Sequence, residues 1–313
     1  MIEILNLTKQ YGRGNRKACA LNEVSLTVNN GEIVGFVGLN GAGKTTTIRI
    51  ASGIILPTSG TVAIDGHDIV RDKRSASENV GWVSEFPNFD ENAKANSLLL
   101  YFAGFRQIQK NVAEKRASEL FQQLELSGQE NKKLRAYSQG MKKRFSLALA
   151  LLPNPNNFFF DELLNGLDPQ GIRFTRSLLA NLKNQGKSVL LSSHILSEID
   201  TVSDKIVFIH KGRIIKIISR GELSTLEQSG GALRMTIPNL NENALQYLRT
   251  LGRVDVEGKF NVTLYGFRAD PSVVSTELVT RGFLIREFSF EKSPLEDYFF
   301  KLINESNAPD QVI

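Results

Sequence analysis

Gly38-Leu39-Asn40-Gly41-Ala42-Gly43-Lys44-Thr45 follows the spacing G-x-x-x-x-G-K-[ST] residue for residue. Before it, Gly31 to Val37 is a short apolar run of the kind a sheet buries; after it, Lys44 to Ala51 reads as a helix. Strand, glycine-rich turn and helix in that order are what a phosphate cradle needs. Small residues let backbone N–H groups turn inward around a phosphate, and the helix N-terminus adds positive partial charge. In such a cradle Lys44 reaches the β and γ oxygens, and the Thr45 hydroxyl joins a Mg²⁺ shell. Gly38, Asn40, Gly41, Gly43 and Thr46 complete the candidate binding set. A dinucleotide fingerprint is excluded, because its third glycine would have to stand where Thr46 is. The segment predicts a nucleoside triphosphate site.

Working outward, short β-rich runs alternate with helical stretches. Ile2 to Ile4, Ala20 to Val28 and Thr61 to Ile64 read as strands, with Pro57 to Gly60 a turn. From about Asn96 to Leu126 the period is helical, and a helix is predicted from Ser138 to Leu152, ended by Pro153 and Pro155. Phe158 to Phe160 is a strand, Gly171 to Lys183 a helix and Lys187 to Leu191 a strand; Lys211-Gly212-Arg213 turns a hairpin. Such alternation predicts a largely parallel sheet with helices on its faces. Composition shifts at Ser229-Gly230-Gly231, which sets the expected division at 1–228 and 229–313. The second part reads as a small α+β appendage: strand Leu233 to Ile237, helix Glu242 to Leu251, two strands around Gly258, helix Ser272 to Thr280, strand Phe283 to Phe290 and a last helix from Pro294 to Ile303.

A second chemical signal ends the phenylalanine strand. Asp161-Glu162 places two adjacent acids where alternating side chains serve different atoms. Beside a phosphate cradle, Asp161 suits Mg²⁺ and Glu162 suits polarising an attacking water.

Composition fits an ordinary globular chain: 313 residues, 41% hydrophobic, 23% charged and a formal net charge of +5. A single cysteine, Cys19, excludes an internal disulfide. No apolar run approaches the ~18–20 residues of a membrane span, and no secretory signal is evident at the start. The basic run Lys132, Lys133, Arg135, Lys142, Lys143 and Arg144 lacks interleaved aromatic residues for base stacking, so it reads as a solvated helix face, and no nucleic-acid partner is expected.

With these motifs in order, Met1 to about Leu226 closely resembles the ATP-binding subunits of ABC transporters. Tyr137-Ser138-Gln139-Gly140-Met141 resembles the family's signature, Asn165-Gly166-Leu167-Asp168-Pro169 its D-loop, and Leu191-Ser192-Ser193-His194 its switch-histidine loop. Tyr11 matches the aromatic residue that stacks on adenine. The ending Ser293-Pro294-Leu295-Glu296-Asp297 is similar to the stand-alone ATPases of ABC-2-type exporters. The resemblance implies an α/β P-loop NTPase fold with an N-terminal antiparallel β part, a helical insert at about 90–150 and the small appendage. It also implies ATP and Mg²⁺, with Glu162, His194 and Lys44 catalytic. Ser138, Gly140 and Asp168 would join the nucleotide site across a pair of identical subunits, and Glu85 would stand with Thr45 and Asp161 at the metal. The implied partners are a second copy and an integral membrane permease, which would hold the chain at the cytoplasmic face of the membrane.

The sequence departs from the family at named places. Glu85 stands for the Q-loop glutamine, Leu163-Leu164 for Pro-Thr after the acidic pair, Asn157 for an apolar strand residue and Gln139 for a signature glycine. Glu85 and Leu163 motivate an alternative, a regulatory subunit that binds ATP and barely hydrolyses it. A soluble ABC ATPase outside transport is a further alternative; such proteins usually carry two cassettes or a coiled-coil insertion, and neither pattern occurs here.

Overall fold

A computed structural model of the protein describes residues 1–12, 17–222, 232–265, 267, 269–291 and 295–307. The Ser229-Gly230-Gly231 composition shift, the 228/229 division and Ser293-Pro294 lie outside the described residues. The chain forms two units, Met1–Ile217 and Ile218–Ile313.

In the first unit, β1 (Ile2–Tyr11) pairs antiparallel with β2 (Ala18–Val28). On its other side lies β4 (Ser59–Ile64), followed by the short β5 (His67–Asp68). The β1–β2 register shifts between Ile4 and Leu7, where Asn6 takes the left-handed φ of 48°. A second sheet has the order β10-β9-β3-β8-β7-β6. Its centre is parallel: β3 (Ile33–Val37) lies between β8 (Ser188–Ser193) and β9 (Lys205–His210), and β7 (Asn157–Asp161) between β8 and β6 (Val80–Val83). Every residue of β3, β7 and β8 is buried, the mark of parallel strands covered on both faces. Lys211 and Gly212, at φ 47° and 77°, make the tight turn from β9 into β10 (Arg213–Ser219).

Helix α1 (Lys44–Ala51) leaves the C-terminal end of β3 and buries Ile48 and Ile50 against a core that also holds Ile2, Ile4, Phe36 and Phe159. After α2 (Lys73–Glu78) and β6 comes the helical insert: α3 (Ala95–Phe105), α4 (Lys110–Gln123) and α5 (Gln139–Leu151). Phe145 of α5 packs on Phe89, Phe121 and Tyr137, which ties the insert together. The stretch expected to be helical from Asn96 to Leu126 is two helices, because Gln107 takes a φ of 54° between them. Helix α6 (Pro169–Asn184) starts two residues before its expected first turn, with Asp168 as cap and Pro169 at the first helical position. Helix α7 (Leu196–Asp200) follows β8.

Asn157, polar in a buried strand, donates through Nδ2 to Asp65 Oδ2 at 2.8 Å, so burial leaves the amide satisfied.

The second unit runs β11 (Ala232–Thr236), α8 (Glu242–Leu251), β12 (Arg253–Glu257), β13 (Asn261–Tyr265), α9 (Pro271–Thr280), β14 (Glu287–Glu291) and α10 (Leu295–Asn307). The order β12-β13-β11-β14 with all neighbours antiparallel is the split β-α-β arrangement of ferredoxin-like folds. Leu233, Met235, Val262 and Leu264 meet Ala244, Leu248, Val274 and Leu278 in its core. The strand expected from Phe283 starts only at Glu287, because Gly282 turns the chain at φ 87° and Phe283 is drawn into that core. No helix among the described residues is long and apolar enough to cross a membrane.

Candidate functional site

Three parallel strands end side by side and deliver the site. From β3 comes the Gly38–Thr45 loop, from β7 the acids Asp161 and Glu162, and from β8 the residues Ser192 to His194. The glycines are needed where they stand. A side chain on Gly38 would lie 2.4 Å from the Ile209 carbonyl oxygen. Gly43 has a φ of 115°, and a Cβ there would meet Leu21 Cδ2 at 2.6 Å. The loop surrounds a cavity of about 140 Å³ lined by Asn40, Gly41, Gly43, Lys44, Thr45, Thr46, Glu85 and Glu162, among others.

Lys44 is buried, and its ammonium donates to Gly38 O at 2.6 Å while facing Glu162 Oε1 at 3.3 Å. Glu162 adopts the left-handed φ of 51°, a conformation a non-glycine residue holds only when its surroundings fix it. The surroundings do so. Its N–H donates to Ser192 Oγ at 3.1 Å, and its Oε2 lies 2.8 Å from His194 Nδ1 and accepts from the His194 N–H at 3.3 Å. Ser192 Oγ donates to Asp161 Oδ1 at 2.7 Å, and Thr45 Oγ1 donates to the same oxygen at 3.2 Å. Ser192, noticed in the sequence only as part of the histidine loop, therefore links both acids. The hydroxyl two residues before the histidine was the available signal.

Burial pushes the Glu85 carboxyl above its ordinary value, and the negative charges of Glu162 and Asp161 push it further. Thr45 and Asp161, with Glu85 beside them, form an all-oxygen donor set, the hard chemistry that Mg²⁺ prefers. Among the described residues no group of three or more His, Cys, Asp or Glu side chains forms a metal cage. The oxygen donors present fit a hard divalent cation such as Mg²⁺.

The remaining sequence-predicted residues lie apart from this cradle. Ser138 caps α5, its Oγ accepting from the Met141 N–H at 3.2 Å, and Asp168 caps α6 by accepting from the Gly171 N–H at 2.8 Å. Gly140 lines a separate cavity of about 460 Å³ together with Glu85, Lys143 and Asn165, and no residue of the Gly38–Thr45 loop borders it. Tyr11 is exposed at the end of β1, with the Lys9 ammonium 5.1 Å from its ring centroid. It does not border the cavity inside the Gly38–Thr45 loop.

One sequence reading needs revision in part. Lys132, Lys133 and Arg135 of the basic run are exposed, as a solvated face requires, but its other three members are engaged within the fold. Lys143 is buried and bonded to backbone carbonyls, Lys142 pairs with Glu91 at 2.9 Å, and Arg144 pairs with Glu125 at 2.6 Å. Leu163, a departure that motivated the weak-hydrolysis alternative, is buried like Leu164, and the Glu162 carboxylate lies between Lys44 and His194.

The family sequence profile described as ABC transporter matches residues 21–165. The bacitracin transport ATP-binding protein of Bacillus licheniformis is 32% identical over 304 residues, 97% of each chain. The chain belongs to the ABC transporter ATP-binding family. It is accordingly an ATPase subunit of the ABC class. A doxorubicin resistance ATP-binding protein of Mycobacterium tuberculosis is 33% identical over 71% of this chain and 66% of its own. A solved ATP-binding subunit of an ABC transporter superposes with a TM-score of 0.66 at 27% identity, covering 72% of this chain and 92% of that one. A bacterial ABC transporter cassette solved as a dimer gives 0.65 at 25% identity, with 70% and 99% covered. The bacitracin relative aligns across nearly the whole chain, so its likeness extends into the C-terminal unit, beyond the Leu226 limit that the motifs alone set.

Proposed function

We propose that the chain is the ATP-hydrolysing motor subunit of an ABC-2-type exporter, working as a pair of copies that close around ATP and Mg²⁺. Relatives named for bacitracin transport and doxorubicin resistance support the export reading. One observation carries the chemistry: Glu162 lines the cavity inside the Gly38–Thr45 loop, its carboxylate clasped by His194 at 2.8 Å and Lys44 at 3.3 Å.

The backbone of Gly38 to Thr45 and the α1 N-terminus bind the phosphates, and Lys44 swings from its loop carbonyl toward the β and γ oxygens. Thr45 and Asp161, with Glu85, hold Mg²⁺, which when bound neutralises charge on the phosphate oxygens. Glu162 takes a proton from the attacking water, and His194 keeps the carboxylate aimed and donates toward the γ-phosphate. Tyr11 stacks on the adenine ring.

Ser138 caps α5, and Gly140 in its first turn lines a cleft that no residue of the Gly38–Thr45 loop borders, which suits this helix start to a γ-phosphate held by a second copy. ATP then favours the closed pair, because only that state adds the Ser138 and Gly140 contacts. Loss of the γ-phosphate removes them, and the pair opens.

The membrane partner has a matching surface. A groove of about 540 Å³ between the β6–Phe89 stretch and α3 is lined by Trp82, Phe86, Phe102, Phe105 and Arg106, with Phe86 80% and Phe105 67% exposed. A cytoplasmic helix of an integral permease fills it and holds the chain at the membrane's inner face. Glu85 adjoins Phe86, so docking and the nucleotide site share one loop.

The test is ATP turnover by Glu162→Gln. The reading predicts a loss of about 10²–10⁴-fold with ATP binding retained; turnover at the parental rate would remove Glu162 as the base.

A further inference from the structure

Lys143 sits on α5 with 9% of its surface exposed, and its ammonium donates to Glu162 O at 3.0 Å and to Asn165 O at 2.5 Å. These carbonyls belong to different parts of the site. One is that of the residue held at the left-handed φ of 51°; the other opens the loop that ends in the α6 cap, Asp168. Glu162 is thus gripped at its N–H by Ser192, at its carboxylate by His194 and Lys44, and at its carbonyl by Lys143.

We infer that Lys143 is a positioning residue for hydrolysis, fastening the Glu162 backbone and the Asn165–Asp168 loop to the helix that begins at Ser138 and supplying the positive charge that faces Glu85. The inference rests on Glu162 being the base. Lys143 does not border the phosphate cavity, so it acts through Glu162 and not on the nucleotide. It shares the larger cleft with Glu85, Gly140 and Asn165. An ammonium is a poor choice for a buried site unless its donors are used and acids face it. Both conditions hold. Burial pulls the Lys143 ammonium below its ordinary value, while the charges of Glu85, Glu162 and Glu198 pull it back up. The same lysine accounts for an acid being tolerated at position 85, where a neutral glutamine is the family habit.

The geometry links two functions. Any displacement of α5 when a second copy docks on Ser138 and Gly140 is passed by one side chain to the carbonyl of the base. The signature helix and the water-activating carboxylate of the same chain therefore move together.

The test measures kcat and KM for ATP with the full chain and its membrane partner. Lys143→Met should lower kcat about 10–100-fold, since small misplacement of a catalytic group has effects of that size. KM should stay within about threefold, because ground-state binding is untouched. Lys143→Gln keeps N–H donors on a shorter uncharged side chain and should lose less, about 3–10-fold. Adding Glu85→Gln to Lys143→Met should restore part of the lost kcat by removing the acid left without its cation. A folded Lys143→Met with parental kcat, or with raised KM and unchanged kcat, overturns the inference. Should the Met variant fail to fold, Lys143→Gln decides alone, and parental kcat there overturns it. Glu162→Gln is measured alongside: parental turnover in that variant defeats the base assignment itself, whereas an impaired Glu162→Gln beside a parental Lys143→Met defeats only the role of Lys143.

Discussion

Glu162 and His194 meet twice: the imidazole Nδ1 lies 2.8 Å from Glu162 Oε2, and the His194 backbone N–H donates to that same oxygen at 3.3 Å. The double contact fixes the direction of the carboxylate while leaving the rest of the half-exposed imidazole ring open to a ligand. His194→Ala keeps the backbone bond and loses the ring. It should lower kcat about 10²-fold or more with little change in nucleotide affinity, as seen by comparing steady-state turnover with equilibrium ATP binding.

Lys44 is poised between a loop carbonyl and Glu162, so removing it affects phosphate capture first. Lys44→Ala should weaken both ATP and ADP binding by about tenfold or more, each charge-assisted bond to phosphate being worth about 1.5–3 kcal/mol. Titration calorimetry with each nucleotide measures this, and equal affinity to the parent would show that the cradle is elsewhere.

Gly43 combines a φ of 115° with a place where an added Cβ would lie 2.6 Å from Leu21 Cδ2 and 2.9 Å from the Ala20 carbonyl oxygen. Gly43→Ala should destabilise the chain by about 1–3 kcal/mol through strain and crowding. It should also weaken nucleotide binding, because the loop cannot keep its N–H groups inward. Gly41→Ala meets no atom within 4 Å and carries only the strain of its φ of 80°, so its thermal midpoint should fall less. Scanning calorimetry of the two variants separates crowding from strain.

Tyr11 tests base recognition independently of phosphate chemistry. Tyr11→Ala should cost about 1–3 kcal/mol of ATP affinity, the usual worth of stacking an aromatic side chain on a base. Triphosphate alone should bind as well as before, and competition between ATP and inorganic triphosphate reads the difference.

Glu198, on α7 beyond His194, has a carboxylate oxygen buried without a hydrogen-bond partner, and burial raises its carboxyl above the ordinary value of 4.5. A raised acid means that the folded chain holds a proton the unfolded chain has released. Stability from this group is therefore present below about pH 4.5 and is lost as pH rises through the higher folded value. Glu198→Gln should accordingly gain thermal stability over the parent at pH 7.5 and lose that advantage near pH 4, measured without nucleotide.

How much of this was legible beforehand differs from residue to residue. The Gly38–Thr45 spacing announces its strand, turn and helix because only that backbone path gathers N–H groups around a phosphate. Asp161 and Glu162 are readable because they end a strand whose burial is written in three consecutive phenylalanines. Lys143 was not readable: at helical spacing it stands among Lys142 and Arg144, and only the fold reveals two carbonyls needing a donor on its side. The break between α3 and α4 escaped for a similar reason, since the left-handed turn at Gln107 carries neither glycine nor proline. The φ of Glu162 is invisible in sequence, being imposed by Ser192 and His194 at the end of β8 and by Lys143 on α5, two segments distant in the chain.

The most direct test is the molar mass of the Glu162→Gln chain, by light scattering, at saturating MgATP and separately at saturating MgADP. Two copies enclosing uncleaved ATP predict twice the mass of one chain with MgATP and the mass of a single chain with MgADP. A single-chain mass in both conditions, at high protein concentration and with nucleotide demonstrably bound, would contradict the account.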